Sequence, residues 1–226
     1  MTPGKPMLAE FASREAWLAS VAADFRQWVT DALNRRPVAH IALSGGATPL
    51  PLYAHFAGLD LPWNRLHGWV GDERWLPADH AANNGRAICG ALGSVAGIIH
   101  FHPWNTTLSP EQSAAEYEQR MRTEIGTPVV FDLVLLGLGT DGHTASLFPG
   151  SPALEEHTRD AAANRAPAPY PARLTLTYPA LNRARAVWFL ATGEEKKEIS
   201  RRLQQRDRGL PAARVEAGVQ KIYWAV

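Results

Sequence analysis

Cysteine is almost missing from this chain. The one residue present, Cys89, excludes an intrachain disulfide. Its neighbours are apolar, so no thiol nucleophile stands out. Long apolar runs are missing too. None approaches the roughly 20 residues that a membrane span needs. The opening MTPGKPMLAEF has no apolar segment of the kind a secretory signal carries. These absences point to a soluble, cytoplasmic protein without a membrane partner. Excess charge of one sign is also lacking. Lys and Arg number 23, Asp and Glu 22, and the net charge is +1. That balance offers no electrostatic basis for binding nucleic acid or an acidic membrane. A short basic cluster, Arg201, Arg202, Arg206 and Arg208, reads as a solvated helix face.

Two familiar catalytic motifs are absent as well. No Gly-x-Ser-x-Gly elbow occurs, and no nucleotide P-loop, because no Lys-Ser/Thr pair follows the glycines. His100 and His102 form an H-x-H pair without a Cys or carboxylate at ligand spacing nearby. A zinc site is therefore not expected, and the two read as ordinary strand histidines. No internal repeat, low-complexity tract or domain boundary appears, so residues 1–226 read as one domain.

What is present is a strand and helix rhythm. Hydrophobic residues make up 46% of the chain, enough for a sizeable core. Ser13 caps a helix reaching about Asn34, with an apolar face at three- and four-residue spacing. Val38 to Leu43 reads as a buried strand. Thr48 as N-cap and Pro49 at the first helical position start a second helix, through about Ala57. Leu66 to Val70 is a strand, a helix lies near Arg86 to Leu92, and Ile98 to Phe101 is a brief strand. Ser109-Pro110-Glu111-Gln112 carries a capping-box spacing that opens a helix to about Ile125. Phe131 to Leu136 is a strand without charge after Asp132. Residues 161–172, rich in Ala and Pro, read as a surface loop. Arg173 to Thr177 and Ala186 to Ala191 are strands, a helix covers about 194–206, and Ile222 to Ala225 is a last strand. Apolar strands separated by helices indicate a Rossmann-like, doubly wound α/β fold: a mostly parallel sheet with helices on both faces.

Four of these strands end in polar, glycine-bearing turns: Ser44–Thr48, Gly71–Arg74, Gly137–His143 and Thr192–Lys196. In a parallel sheet all carboxyl ends lie on one edge, so the four turns converge in one crevice. The first has two readings. It is a tight strand-to-helix turn, or an anion cradle in which Gly45 and Gly46 admit a ligand to the backbone, Ser44 and Thr48 supply hydroxyls and the helix behind adds its positive end. His143 beside Asp141 reads as a general base or acid, although Asp141 could serve only to shape its turn. Asp72 and Glu73 could be loop solvation, whereas the adjacent Arg74 reads as a fixed cation. Lys196 and Arg173 either face an anion or are solvated. Gly137-Leu138-Gly139-Thr140-Asp141-Gly142 formally matches G-x-G-x-x-G. A dinucleotide site needs a full helix after it, and Pro149 and Pro152 cut that segment short. The residues together suggest proton transfer or water activation on a phosphorylated small molecule.

The segments LSGGATPLPLY (43–53), GDERWLPADHAANN (71–84), DLVLLGLGTDGHTASLFPGS (132–151), ARLTLTYPALNRARAVWFLATGEEKK (172–197) and LPAARV (210–215) resemble the 6-phosphogluconolactonase family. Its superfamily also holds glucosamine-6-phosphate deaminases. The resemblance implies hydrolysis of 6-phosphoglucono-1,5-lactone in the oxidative pentose phosphate pathway, with no metal, no organic cofactor and no obligatory protein partner. It implies that His143 activates water, that Asp141 orients the imidazole or holds sugar hydroxyls, and that Arg74 stabilises developing negative charge. It assigns Ser44, Gly45, Gly46, Arg173 and Lys196 to phosphate and sugar binding, and Thr48 and Asp72, which lie in the converging turns, are taken with them as substrate-binding candidates. The chain departs from the family pattern at Thr140, at Asn83-Asn84-Gly85 and after Trp224. A deaminase, with Asp72 shuttling a proton, and a non-enzymatic sugar-phosphate sensor are the alternatives. The deaminase pattern continues with Ala-Phe-Asn-Glu-Pro where this chain has Ala145-Ser146-Leu147-Phe148-Pro149.

Overall fold

The computed structural model describes residues 4–226. Strand β1 (Met7–Phe11) leads into α1 (Arg14–Leu33), whose first turn is capped by the Ser13 side chain as expected. Then come β2 (Ala39–Leu43), α2 (Pro49–Phe56), β3 (Leu66–Val70), a three-residue β4 (Asp72–Arg74), α3 (Asn84–Leu92) and β5 (His100–His102). Helix α4 (Pro110–Glu124) starts with both halves of the Ser109/Gln112 capping box in place. The remaining elements are β6 (Leu133–Gly137), β7 (Ala161–Arg165), β8 (Ala172–Leu176), α5 (Tyr178–Arg183), β9 (Ala186–Thr192), α6 (Lys197–Gln204) and β10 (Val219–Ala225).

Seven strands form the central sheet in the order β1-β10-β9-β6-β2-β3-β5, and every neighbouring pair is parallel. Helices cover both faces, which is why β2 and β3 are buried along their whole length. After β2 the chain builds outward through β3 and β5. It then returns to the other side of β2 to place β6, and continues through β9 to β10. The strand order therefore reverses between β2 and β6. That is the point at which an open α/β sheet leaves a crevice beyond its strand ends.

Three expectations need correction. The Ala/Pro stretch is not all loop, because Ala161–Arg165 is strand β7, paired antiparallel with β8. Nor do β4 and β8 belong to the central sheet. With β7 they make a separate antiparallel sheet in the order β4-β8-β7. The pairing ability of these three short segments lies in long-range partners, which local pattern does not reveal. Thr48 occupies the N-cap position of α2 but makes no capping bond. Its φ and ψ of −76° and −52° are already helical, and its hydroxyl meets that of Thr192 at 2.9 Å instead.

At the entrance to β6, Asp132 joins three strands. One carboxylate oxygen accepts the His40 backbone N–H at 2.9 Å, and the other lies 2.8 Å from Arg36 and 3.3 Å from Arg185. Three arginines of the basic cluster near α6 pair with acids at the surface, Arg201 with Glu10, Arg202 with Asp207 and Arg208 with Glu216, while Arg206 donates to the Gly4 carbonyl and to Gln220.

His100 and His102 belong to a larger group than the sequence suggests. His40, His67 and His100 are register partners across β2, β3 and β5, and His102 stands opposite Trp69. Trp69 Nε1 donates to His40 Nδ1 at 3.2 Å, and His67 Nδ1 lies 3.0 Å from His102 Nε2. The Trp69 and His102 rings stack 3.8 Å apart. Each hydrogen bond needs a neutral ring on its accepting side, since a doubly protonated imidazole cannot accept. Burial, with the neighbouring His67 adding to it, pushes His40 down to about 4 and His102 down to about 3. Burial and His100 lower His67 as well, against a pull upward from Glu124. The folded pKa values lie below the ordinary 6.5, so the unfolded chain takes protons first. The stability these rings contribute is complete above about pH 6.5 and is lost as pH falls toward 4 and then 3. Urea unfolding at pH 7 and pH 4.5 checks this. The stability gap between the native chain and His102→Gln is expected to shrink at the lower pH. A gap independent of pH would locate the acid sensitivity elsewhere.

Candidate active site

The four polar turns do meet. They surround a cleft of about 330 Å³ at the carboxyl edge of the central sheet, over the reversal between β2 and β6. Ser44, Gly45, Gly46, Thr48, Asp72, Arg74, His143, Arg173 and Lys196 all line it. Asp141 does not. It stands behind His143, with its Oδ1 2.5 Å from His143 Nδ1 and 3.1 Å from the His143 backbone N–H.

The wall after β2 is the Ser44–Thr48 turn. Gly46 has φ of +103°, which an L side chain rarely adopts, and a Cβ on Gly45 would lie 2.1 Å from Asn84 Oδ1. The chain here needs glycine twice, once for its turn and once for close packing. Helix α2 begins immediately behind, so its positive end faces the cleft. Ser44 Oγ is buried and has no hydrogen-bond partner among the described residues. A buried hydroxyl in that state costs stability unless something outside the chain satisfies it.

The wall after β6 carries the histidine. With Nδ1 turned to Asp141, Nε2 is the ring nitrogen left for chemistry. Gly139 makes the arrangement possible, because a Cβ there would lie 2.1 Å from His143 Nδ1 and 2.6 Å from Asp141 Oδ1. The far face of the imidazole is covered by Phe148, ring centroids 4.4 Å apart.

The third wall is the small sheet. In the pairing of β4 with β8, Arg74 stands directly opposite Arg173. Like charges across a strand pair are unfavourable. Burial and then the Arg74 charge lower the pKa of Arg173, while Asp72 and Glu73 act the other way. Each guanidinium is tethered to a carbonyl, Arg74 Nη1 to Ala82 at 2.8 Å and Arg173 Nε to Tyr170 at 2.8 Å. Arg173 also lies over the Phe148 ring at 5.7 Å. Lys196 closes the cleft after β9, and burial lowers its pKa too. Three cations are thus gathered around one space, two of them held there against desolvation.

Asp72 and Glu73 are not loop solvation, since both are buried. Glu73 is the structural member. Its carboxylate accepts three backbone N–H groups, from Arg74, Asn84 and Gly85 at 2.8, 2.6 and 2.8 Å, and so fixes β4 to the start of α3. Burial pushes it up to about 7 while those three bonds pull it down. Asn84, Leu138, Ala145 and Phe148 also line the cleft and were missed in the sequence. For Asn84 a signal existed in the tandem Asn83-Asn84 ahead of a helix. Asn83 turns out to be the cap, and Asn84 donates to the Asp72 carbonyl at 2.8 Å. Among the described residues no cluster of three His, Cys, Asp or Glu side chains has metal-holding geometry. Cys89 is half-buried with a thiol pKa raised by burial, and does not line the cleft.

The fold and cleft place this chain among the doubly wound α/β proteins whose ligand crevice opens at the carboxyl ends of the strands. Comparison with known proteins narrows the class. The chain belongs to the family described as glucosamine-6-phosphate isomerases/6-phosphogluconolactonase, which matches residues 12–224. It is 44% identical over 177 residues to a 6-phosphogluconolactonase of Synechocystis sp., covering 75% of this chain and 72% of the relative. It is 37% identical over 200 residues to one of Thermotoga maritima, covering 86% of each. A crystal structure of 6-phosphogluconolactonase from Thermotoga maritima superposes with a TM-score of 0.87 at 31% identity, covering 98% of this chain and 99% of the other.

Crowded cations imply that a bound anion stabilises the fold. At a hundred times its Kd, 6-phosphogluconate is expected to raise the melting temperature by roughly 5–10 °C. Arg173→Gln is expected to remove most of that shift in a thermal melt. A full shift in Arg173→Gln would take Arg173 out of anion binding.

Proposed function

We propose that this chain hydrolyses 6-phospho-D-glucono-1,5-lactone to 6-phospho-D-gluconate, the lactone-opening step of the oxidative pentose phosphate pathway, as one domain spanning residues 1–226. The observation that carries the reading is the cleft itself. It holds an Asp-supported histidine and three cations, in a chain similar to 6-phosphogluconolactonases. A cytoplasmic enzyme with no obligatory protein partner fits it, and no described helix is long and apolar enough to cross a membrane.

In this reading the phosphate sits among Ser44, Gly45, Gly46, Thr48, Arg173 and Lys196, where N–H groups, hydroxyls and cations complement its charge. The ring hydroxyls meet Asp72. The lactone carbonyl lies over His143. Asp141 keeps the proton on Nδ1, so Nε2 has its lone pair and takes a proton from water as the oxygen attacks C1. The carbonyl electrons move onto oxygen, and Arg74 offsets the charge that develops there. When the tetrahedral intermediate collapses, the bond from C1 to the ring oxygen breaks. The imidazolium returns its proton to that oxygen, which leaves as the C5 hydroxyl. No covalent enzyme intermediate is needed.

The purified chain is expected to accelerate opening of freshly made 6-phosphogluconolactone above its spontaneous hydrolysis. His143→Ala is expected to lose about 10²–10⁴-fold in kcat, the usual contribution of a positioned general base, while still binding 6-phosphogluconate. An unchanged kcat in His143→Ala would remove the base from the mechanism. Release of ammonia from glucosamine 6-phosphate would favour the deaminase activity instead.

Gly139→Ala provides a second check. The added methyl occupies the position of the His143–Asp141 contact, so kcat is expected to fall toward that of His143→Ala with circular dichroism unchanged. Wild-type kcat in this variant would show that the contact is dispensable.

A further inference from the structure

Ser146 does not line the cleft and has no role in the mechanism above. It is fully buried, and its Oγ lies 2.6 Å from Asp72 Oδ2. Two further bonds hold the serine in place. Its backbone N–H donates to Thr175 Oγ1 at 3.2 Å, and its carbonyl accepts from Asn164 Nδ2 at 2.6 Å. Asn164 in turn bonds Ser151 Oγ at 3.0 Å and the Ala153 N–H at 3.1 Å. Thr175 is itself the strand partner of Asp72 in the pairing of β4 with β8. Asp72, Thr175 and Ser146 therefore form a closed ring of contacts, two made by hydrogen bonds and one by the strand pair. The direction of the last bond is set as well. A carboxylate can only accept, so the Ser146 hydroxyl donates.

This ring leaves Asp72 little freedom. Its carbonyl is held by Asn84 Nδ2, and its Oδ2 by Ser146. Oδ1 has no hydrogen-bond partner among the described residues, and the residue opens onto the cleft. Immediately before Ser146, Ala145 sits at φ of +47°, a conformation a residue with a Cβ seldom adopts. The chain tolerates that turn and thereby brings Ser146 under the small sheet.

We infer that Ser146 is a positioning residue for the reaction: its hydroxyl holds Asp72 through Oδ2, so that Oδ1 stays presented to the cleft as the acceptor for a substrate hydroxyl. The inference rests on the reading of Asp72 as a substrate contact. A carboxylate with one oxygen pinned and the other presented selects a hydroxyl by position. A freely rotating one accepts from several directions.

The test is a double-mutant cycle in Ser146 and Asp72, read in lactone hydrolysis and in 6-phosphogluconate binding. Ser146→Ala is expected to raise KM and the 6-phosphogluconate Kd by about ten-fold, in line with loss of one hydrogen bond to a charged group, with kcat nearly unchanged. Asp72→Ala is expected to lose at least as much. The double variant should be no worse than Asp72→Ala, because no carboxylate is left to hold. Losses that multiply, or a lower kcat at unchanged KM, would mean that Ser146 serves the fold only, and would overturn the inference. If Asp72→Ala itself leaves KM and Kd unchanged, the substrate-contact reading fails first, and that outcome is separable from the cycle. Should Ser146→Ala not fold, Ser146→Cys, close in size with a weaker donor, runs through the same cycle with the same outcomes deciding.

Discussion

Arg74 and Arg173 face one another across a strand pair only three residues long, and much of the cleft depends on that opposition. Two buried or half-buried guanidinium groups held side by side are unfavourable in an empty site. The surrounding structure is what keeps them there. Glu73 fixes β4 to α3 through three N–H groups, Tyr170 and Ala82 tether the two side chains, and Asp72 and Glu73 supply local negative charge. Such an arrangement is poor as a fold-stabilising device and good as a preformed receptor for an anion. Ser44 makes the same point with a neutral group, since its buried hydroxyl is satisfied by nothing within the described chain.

The proposed receptor depends on two sheets meeting there. The central parallel sheet sends the Ser44 turn and the His143 turn to one edge, on either side of the point where strand order reverses. Alone it would give a cradle and a base, with one lysine from the β9 end. The small antiparallel sheet adds both arginines and Asp72 from a different direction. The hydroxyl contact between Thr48 and Thr192 ties the Ser44–Thr48 turn to the end of β9.

Strand direction explains why so much of this was legible in the sequence. Apolar runs such as Leu133–Leu136 and Ala186–Ala191 can be placed from pattern alone, and once they are parallel their polar ends must converge. Ser44, Arg74, His143 and Lys196 were all found by that rule. What was not legible depends on partners far along the chain. Strand β4 has three residues, all of them charged, and becomes a strand only because β8 lies beside it. Strand β7, Ala161–Arg165, looks like loop until β8 pairs with it. Asn84 carries only the tandem of two asparagines ahead of a helix, and Ser146 no local signature of a site. Each reaches Asp72 across 12 and 74 residues of sequence respectively, and only the folded chain brings them there.

The glycines of residues 137–142 show how one spacing can serve two physical ends. In a dinucleotide fold such glycines let a pyrophosphate approach the backbone at the start of a long helix. Here no helix follows. Thr144 and Leu147 make an isolated bridge, a short 3₁₀ turn covers Pro152–Glu155, and the next α-helix is α5 at Tyr178. The room that Gly139 leaves by lacking a Cβ is filled by the protein's own His143 and Asp141, within about 2–3 Å of where that atom would stand. The missing side chain admits an imidazole and its carboxylate rather than a cofactor. In the proposed reading the anion is received one strand away, by the Ser44–Thr48 turn and the helix behind it. In the proposed reaction, dividing the two tasks between adjacent strand ends keeps a negatively charged phosphate apart from the Asp141 carboxylate, and lets one cleft hold both an acid-supported base and an anion.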